Sequence, residues 1–267
     1  MNRLAGFVAS ADGAAWEALP SVTMVDLARL PMVRVRVLKL QHVAIADEAV
    51  RNVHWFPNLA ELVLDGSSVT SEAISTLPLS NPSSLYSLSL RDTNADDGCV
   101  DDLAELKQLN SLRLDRTMIS DSSLAKLPRL KHLNLLTLGE TAVTDAGVRS
   151  LAGIESLTSL DLNGTEVTDE SVDFLARLPN LQWLSLAHTK ITDGAMEQLA
   201  RSRSLLMLDL EGCEITDEGL RTLLANRTLG WVGVRGTKVT PAAVRAARRP
   251  GRNVTGDEFK GPTELFP

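Results

Sequence analysis

Apolar residues recur along the chain at a fixed interval. Val35, Leu59, Leu85, Leu109, Leu133, Leu157, Leu181, Leu205 and Leu229 follow one another at steps of 24 residues, except for 26 between Leu59 and Leu85. The blocks LQWLSLAHTKITDGAMEQLARSRS from Leu181 and LLMLDLEGCEITDEGLRTLLANRT from Leu205 show the unit at its clearest. With each start as position 1, apolar side chains also fill positions 4 and 6 (Leu160, Leu162) and positions 16 and 19 (Val172, Leu175). The 4-and-6 alternation is strand periodicity, and a spacing of three on a short segment marks one helical face. Each repeat therefore reads as strand, turn and helix sharing one core. Self-similarity at this period predicts a solenoid that grows by stacked layers.

The frame divides the chain into a helical cap over residues 1–34, nine repeats over 35–252, and a cap or tail over 253–267. Thr23–Pro31 reads as the helical half of a repeat whose strand is missing. The start, MNRLAGFVASADGA, has the look of a signal peptide, but Gly6 and Ser10 interrupt its apolar run, and it is taken as the beginning of the cap. The extra residues of the long step fall in the connection Leu79–Ser84. LPRLKHLNL, from Leu127, offers a competing register with a strand starting at Leu130. Starting at Leu133 instead keeps Leu130 in the slot that Phe56 and Leu178 fill, and keeps Thr141 and Asp145 in phase.

Polar positions repeat too. Thr144, Thr168, Thr192, Thr216 and Thr240, with Ser120 in the fourth repeat, stand where the helix begins. The next residue is aspartate at 145, 169, 193 and 217 and proline at 241. Proline suits the first helical position, so the threonine is the N-cap and the aspartate faces the positive end of the helix dipole. Position 9 carries Thr93, Thr117, Thr141, Thr165, Thr189, Cys213 and Thr237, small side chains able to satisfy backbone groups where the strand turns away. The final helix carries Arg245, Arg248 and Arg249, with Arg252 after it, read as a solvated face that complements the helix C-terminus.

The run from Leu208 to Leu220, LDLEGCEITDEGL, resembles the cysteine-containing subclass of leucine-rich repeats found in F-box substrate receptors and in bacterial repeat proteins. The resemblance covers roughly residues 35–252. It implies a right-handed α/β horseshoe with parallel strands on the concave face and short helices on the convex face, binding other proteins. Trp16–Pro20 is similar to the start of an F-box, with too little chain after it for that helical domain. An adaptor of a ubiquitin-ligase-like or signalling complex is the alternative role that the resemblance raises.

Composition narrows the partner. A formal charge of −7 argues against nucleic acid or an anionic membrane surface. Aromatic residues make up only 4% of the chain, so leucine and valine must fill the core. No stretch approaches the roughly 18 apolar residues of a membrane span. Cys99 falls on a helix and Cys213 on a turn five repeats later, more than roughly 20 Å away by strand spacing, too far for a disulfide. A reducing, cytoplasmic setting and a monomer are expected.

Signs of catalysis are scarce. The sequence holds no phosphate-cradling glycine loop, no Cys-x-x-Cys and no His-Glu-x-x-His, so no catalytic residue, metal or cofactor is assigned. His42 and His188 share position 8 but stand six repeats apart, about 29 Å of stacked strands. Asp209 and Glu211 leave one strand in the same direction, about 7 Å apart, a separation a hydrolase pair can use. In a chain with 34 acidic residues that spacing arises by chance.

The outward positions of the strands point to a docking site. Position 3 reads Val37, Glu61, Ser87, Ser111, Leu135, Ser159, Trp183, Met207 and Trp231. The last three should form a row about 10 Å long across adjacent strands. Together with Leu135, and with Asp161, His188, Asp209 and Glu211 as a polar, acidic rim, they are the expected contact residues for a protein partner. The competing expectation is that the tail, through Phe259 and Phe266, folds back over the row. In the middle of the array, Arg91 with Asp115 and Asp92 with Arg116 should pair across neighbouring strands.

Overall fold

The structure is a computed structural model that describes residues 3–4, 7–10, 12–19, 22–44, 46–77 and 84–256. It divides into two compact units, residues 1–141 and 142–267. The Leu79–Ser84 connection, apart from Ser84, and the tail carrying Phe259 and Phe266 lie outside the described residues.

In the first unit, β1 (Arg3–Leu4), β2 (Phe7–Ala9) and β3 (Ala15–Ala18) pair antiparallel in sequence order. From β3 onward pairing is parallel, through β4 (Val37–Lys39), β5 (Glu61–Val63), β6 (Ser87–Ser89), β7 (Ser111–Arg113) and β8 (Leu135–Thr137). In the second unit β9 (Ser159–Asp161), β10 (Trp183–Ser185), β11 (Met207–Asp209), β12 (Trp231–Gly233) and β13 (Asn253–Thr255) pair in parallel. Each unit is an α/β solenoid layer stack.

The strands occupy positions 3–5 of the frame. Leu38, Leu62, Leu88, Leu112 and Leu136, at position 4, are in register and buried, as are Leu160, Leu184, Leu208 and Val232. Helix residues at positions 16 and 19 meet them, Val172 with Leu175 and Leu220 with Leu223 being buried. β8 starts two residues after Leu133 and pairs Leu135 with Ser111, which settles the register against the Leu130 alternative.

Residues 1–34, expected to be a helical cap lacking its strand, hold three strands as well as the helix Met24–Leu27. Trp16 pairs with Leu38, so it fills the inward slot of an additional layer, and its Nε1 donates to the Gly13 carbonyl at 2.8 Å. Trp16 and Ala18 fill the inward slots that leucines fill in later strands, and that conceals the strand from a leucine-based pattern. The F-box-like stretch Trp16–Pro20 thus begins as strand rather than helix. At the other end, Asn253–Thr255 forms one more parallel strand where a cap or tail was expected.

Helix starts are capped as the sequence indicates. Thr144, Thr168, Thr192, Thr216 and Thr240 each accept a hydrogen bond from a first-turn N–H, as does Ser120. The aspartate that follows has a further role. Asp169 accepts from Thr192 N at 2.8 Å and Thr192 Oγ1 at 2.5 Å, so it holds the cap of the following repeat. Asp145 does the same for Thr168, Asp193 for Thr216 and Asp217 for Thr240; in the first unit Asp47 serves Thr70 and Asp97 serves Ser120. Position 9 behaves as expected: Thr93, Thr117, Thr141, Thr165, Thr189 and Thr237 donate to the carbonyl three residues earlier, and Cys213 Sγ reaches the Leu186 carbonyl at 3.0 Å.

Arg252 corrects the reading of the last arginines as a solvated face. It is buried, donating from Nε to Leu229 O at 3.1 Å, from Nη1 to Leu224 O at 2.9 Å and from Nη2 to Asn226 O. Leu224 is the C-cap of the helix Asp217–Leu223, so the guanidinium closes that helix from within rather than from its surface. Arg249 remains exposed.

Two stability predictions follow. Thr192→Ala removes both the cap of its own helix and a donor to Asp169, so thermal unfolding should show a loss of about 0.5–2 kcal/mol. Lys190→Ala, which breaks only the exposed pair with Glu166, should cost less than about 1 kcal/mol. Arg252→Ala strands buried carbonyls and should cost at least about 3 kcal/mol in denaturant melts, while Arg249→Ala leaves the midpoint nearly unmoved.

Candidate functional site

Strand register builds the site. β9 to β13 align Ser159, Trp183, Met207, Trp231 and Asn253 in one row. The position-5 row beside it reads Asp161, Ser185, Asp209, Gly233 and Thr255. Strands about 4.8 Å apart bring neighbours in a row into contact distance. Trp183, Met207 and Trp231 therefore come together on the outward face as expected, but each is half-buried rather than fully exposed.

Gly233 explains part of that burial. A Cβ on it would stand 2.7 Å from Trp231 Cη2 and overlap Asp209 Oδ1. The Trp231 indole is thus folded along its own strand, and the Asp209 carboxylate meets the ring over the bare backbone of Gly233. Gly233 is a site residue that the sequence reading missed; its signal is a glycine inside a strand, which often marks a close approach.

Asp209 Oδ1 accepts from Glu211 N at 3.1 Å, and Asp209 has no ion-pair partner among the described residues. Burial, with Glu211 nearby, raises its pKa above the usual carboxylate value against the opposing influence of the Glu211 N–H and His188. Glu211 faces Arg235 at 3.9 Å. Asp161 Oδ1 accepts from Asn163 N at 2.9 Å.

His188 enters the site in a left-handed conformation, φ 54°. Position 8 is left-handed in every repeat: His42, Asp92, Arg116, Glu140 and His188 share it with Gly66, Gly164, Gly212 and Gly236. The turn demands this geometry because the position-8 N–H, as in His188 N to Glu211 O, continues the strand ladder one residue beyond the bend. The imidazole of His188 lies against Gly212, where a Cβ would overlap Nδ1. Gly212 therefore gives His188 its place beside Asp209 and Glu211.

Leu135 lies on β8 in the first unit, half-buried and paired with Ser111. The outward face of that unit is knitted together by its own charges. Asp115 accepts from Arg91 Nε at 2.7 Å, Thr137 Oγ1 at 2.5 Å and Gly139 N at 3.0 Å, while Asp65 accepts from Ser89 Oγ at 2.5 Å and Arg91 N at 3.1 Å. Arg116 sits 3.9 Å from Asp92. Both expected pairs are present.

Cys99 and Cys213 are free and buried. Burial is the main reason that both thiols have raised pKa values, about 11 for Cys99, so neither is poised as a nucleophile. Among the described residues no group of three His, Cys, Asp or Glu side chains could hold a metal ion, and no helix is long and apolar enough to cross a membrane. A cavity of about 250 Å³, lined by Leu220, Leu224, Ala243, Ala246 and Ala247 with Asp217 and Arg221, lies on the helix side between Asp217–Leu223 and Pro241–Ala247.

The leucine rich repeat family model matches residues 155–215. The fold is that of a leucine-rich-repeat solenoid. A solved structure with the same fold is the crystal structure of an internalin from Listeria monocytogenes strain 4b F2365, 21% identical, with a TM-score of 0.61. The match covers 90% of this chain and 78% of that one. No curated protein matches the sequence. The matched leucine-rich repeats include β9, β10 and β11, and so Trp183, Met207 and Asp209.

Asp209 carries a stability prediction with a definite sign. A carboxyl whose folded pKa is raised binds its proton more tightly in the folded leucine-rich repeats than in the unfolded chain. Its favourable contribution is complete below the unfolded value of about 3.9 and lost as pH rises through the folded value. At neutral pH Asp209→Asn should therefore melt at the wild-type temperature or above it, and the advantage of the variant should vanish in acid. Calorimetric melts over that range measure it.

Proposed function

We propose that this leucine-rich-repeat chain is a non-enzymatic recognition module that binds a protein partner on the outward strand face of its second unit. The observation that carries the reading is the registered row of Trp183, Met207 and Trp231, flanked by Asp161, His188, Asp209 and Glu211. Tryptophan is enriched among residues that dominate binding energy, and repeat stacks use such faces as extended binding surfaces. In a chain with four tryptophans, two on one row are a concentrated resource. Leu135, on the strand face of the first unit, would add an apolar contact of the same kind.

The two free, buried cysteines support a reducing compartment. Cys213, which stands at the threonine position and bonds the Leu186 carbonyl, supports placing its repeat in the cysteine-containing subclass. The acidic rim supports a protein partner with basic character over nucleic acid or an anionic membrane surface.

The double variant Trp183→Ala, Trp231→Ala tests the reading. Affinity for the partner recovered with the wild-type chain should fall at least roughly tenfold, the ordinary cost of removing hot-spot tryptophans. Circular dichroism should show the fold intact, since neither ring fills the inward slots of the core. Unchanged affinity in that variant would place the docking surface elsewhere.

A further inference from the structure

Asp209 is unlike Asp65 and Asp115 on the first unit's strand face. Asp65 and Asp115 each receive a side-chain donor, from Ser89, and from Arg91 and Thr137. Among the described residues Asp209 receives backbone donors, the Glu211 N–H first, and no side-chain donor or ion-pair cation. Arg235, two residues beyond β12, faces Glu211 at 3.9 Å. A half-buried, ionisable group without a counter-charge is a feature that binding sites carry more often than structural surfaces.

Three neighbours shape the space around it. Gly233 removes the side chain that would otherwise abut the carboxylate on the β12 side, so Asp209 Oδ1 and the edge of the Trp231 ring stand together above bare backbone. Ser185 keeps the β10 side small. The Trp231 Nε1 is buried with no acceptor among the described residues, a donor with unused capacity in the same place. A carboxylate beside an indole is the pairing that holds a cationic side chain, the charge on the carboxylate and the stem or guanidinium plane on the ring.

We propose that Asp209, Trp231 and Gly233 form a seat for a lysine or arginine side chain of the protein partner, with Glu211 and His188 at its rim and Trp183 and Met207 receiving the apolar residues beside it. This inference rests on the docking reading of the strand face and specifies what that face selects. Charge complementarity identifies the occupant: Asp161, Asp209 and Glu211 face outward in this unit against Arg235, which is already engaged by Glu211. On the first unit's strand face Asp115 is paired with Arg91, and Asp92 and Glu140 with Arg116.

Selection of displayed random peptides on the full chain tests the seat and keeps it separate from the docking reading. Recovered peptides should share a lysine or arginine beside apolar residues. Replacing that residue with norleucine or citrulline should weaken binding roughly tenfold or more, within the range for close interfacial charge pairs. Asp209→Asn should give the same loss with the unmodified peptide and no further loss with the neutral one, whereas Glu214→Gln, a turn carboxylate paired with Lys238, should change nothing. Peptides that lose binding with Trp183→Ala but are indifferent to Asp209→Asn and to neutralisation would overturn the seat and leave the docking face standing. If no recovered peptide depended on Trp183, the docking face would fail and the seat with it.

Discussion

The structure depends on a carboxylate that belongs to one repeat and caps the next. A strand of three residues and a helix of four to seven, such as Ser159–Asp161 and Asp169–Leu175, cannot bury a core alone. Stacking supplies the missing faces, but stacking by leucine burial is tolerant of small slips. The bidentate bond from Thr192 to Asp169, and its equivalents along each unit, removes that tolerance on the helix side. It fixes the helix start of one layer against the helix start of its neighbour, while the strand ladder fixes the other side. Where the bond is present, both edges of a layer are pinned and the outward row is held in alignment.

Much of this was legible in the sequence, and what was missed has physical causes. The leucine positions gave the strand register because inward side chains cannot change face without losing the core. The threonines were legible as caps because Pro241 marks the first helical position. The second task of the aspartates was hidden, since their donors lie 23 residues away and a helix dipole already accounted for the charge. The first strand escaped because Trp16 fills a leucine's place among alanines. The left-handed turn residues escaped because only some of them are glycine; His42, Asp92, Arg116, Glu140 and His188 accept a conformation costing about 1–2 kcal/mol that the ladder imposes.

The site was legible to the same depth. Position 3 placed the tryptophans in one row correctly, because parity along a strand decides the face. Their half-burial was not legible, because it depends on the rotamer of Trp231 and on the emptiness at Gly233, properties of a neighbourhood rather than of a position. Charge offers the same lesson. The two units carry similar outward residue types, yet Asp115 is tied by Arg91 and Thr137 whereas Asp209 is left with a backbone donor. Only the partners that each carboxylate meets separate a surface at rest from one with unused capacity.

The direction of the carboxylate bond gives the molecule a temporal order. In every described instance the acceptor comes earlier in the chain and the two donors come 23 residues later, as with Asp47 and Thr70, or Asp217 and Thr240. As the chain leaves the ribosome, the carboxylate of such a layer emerges before the donors that it will hold, at the place where the next helix must begin. The bond thus has a polarity along the chain: each such layer carries the acceptor that marks where the helix of the next one starts.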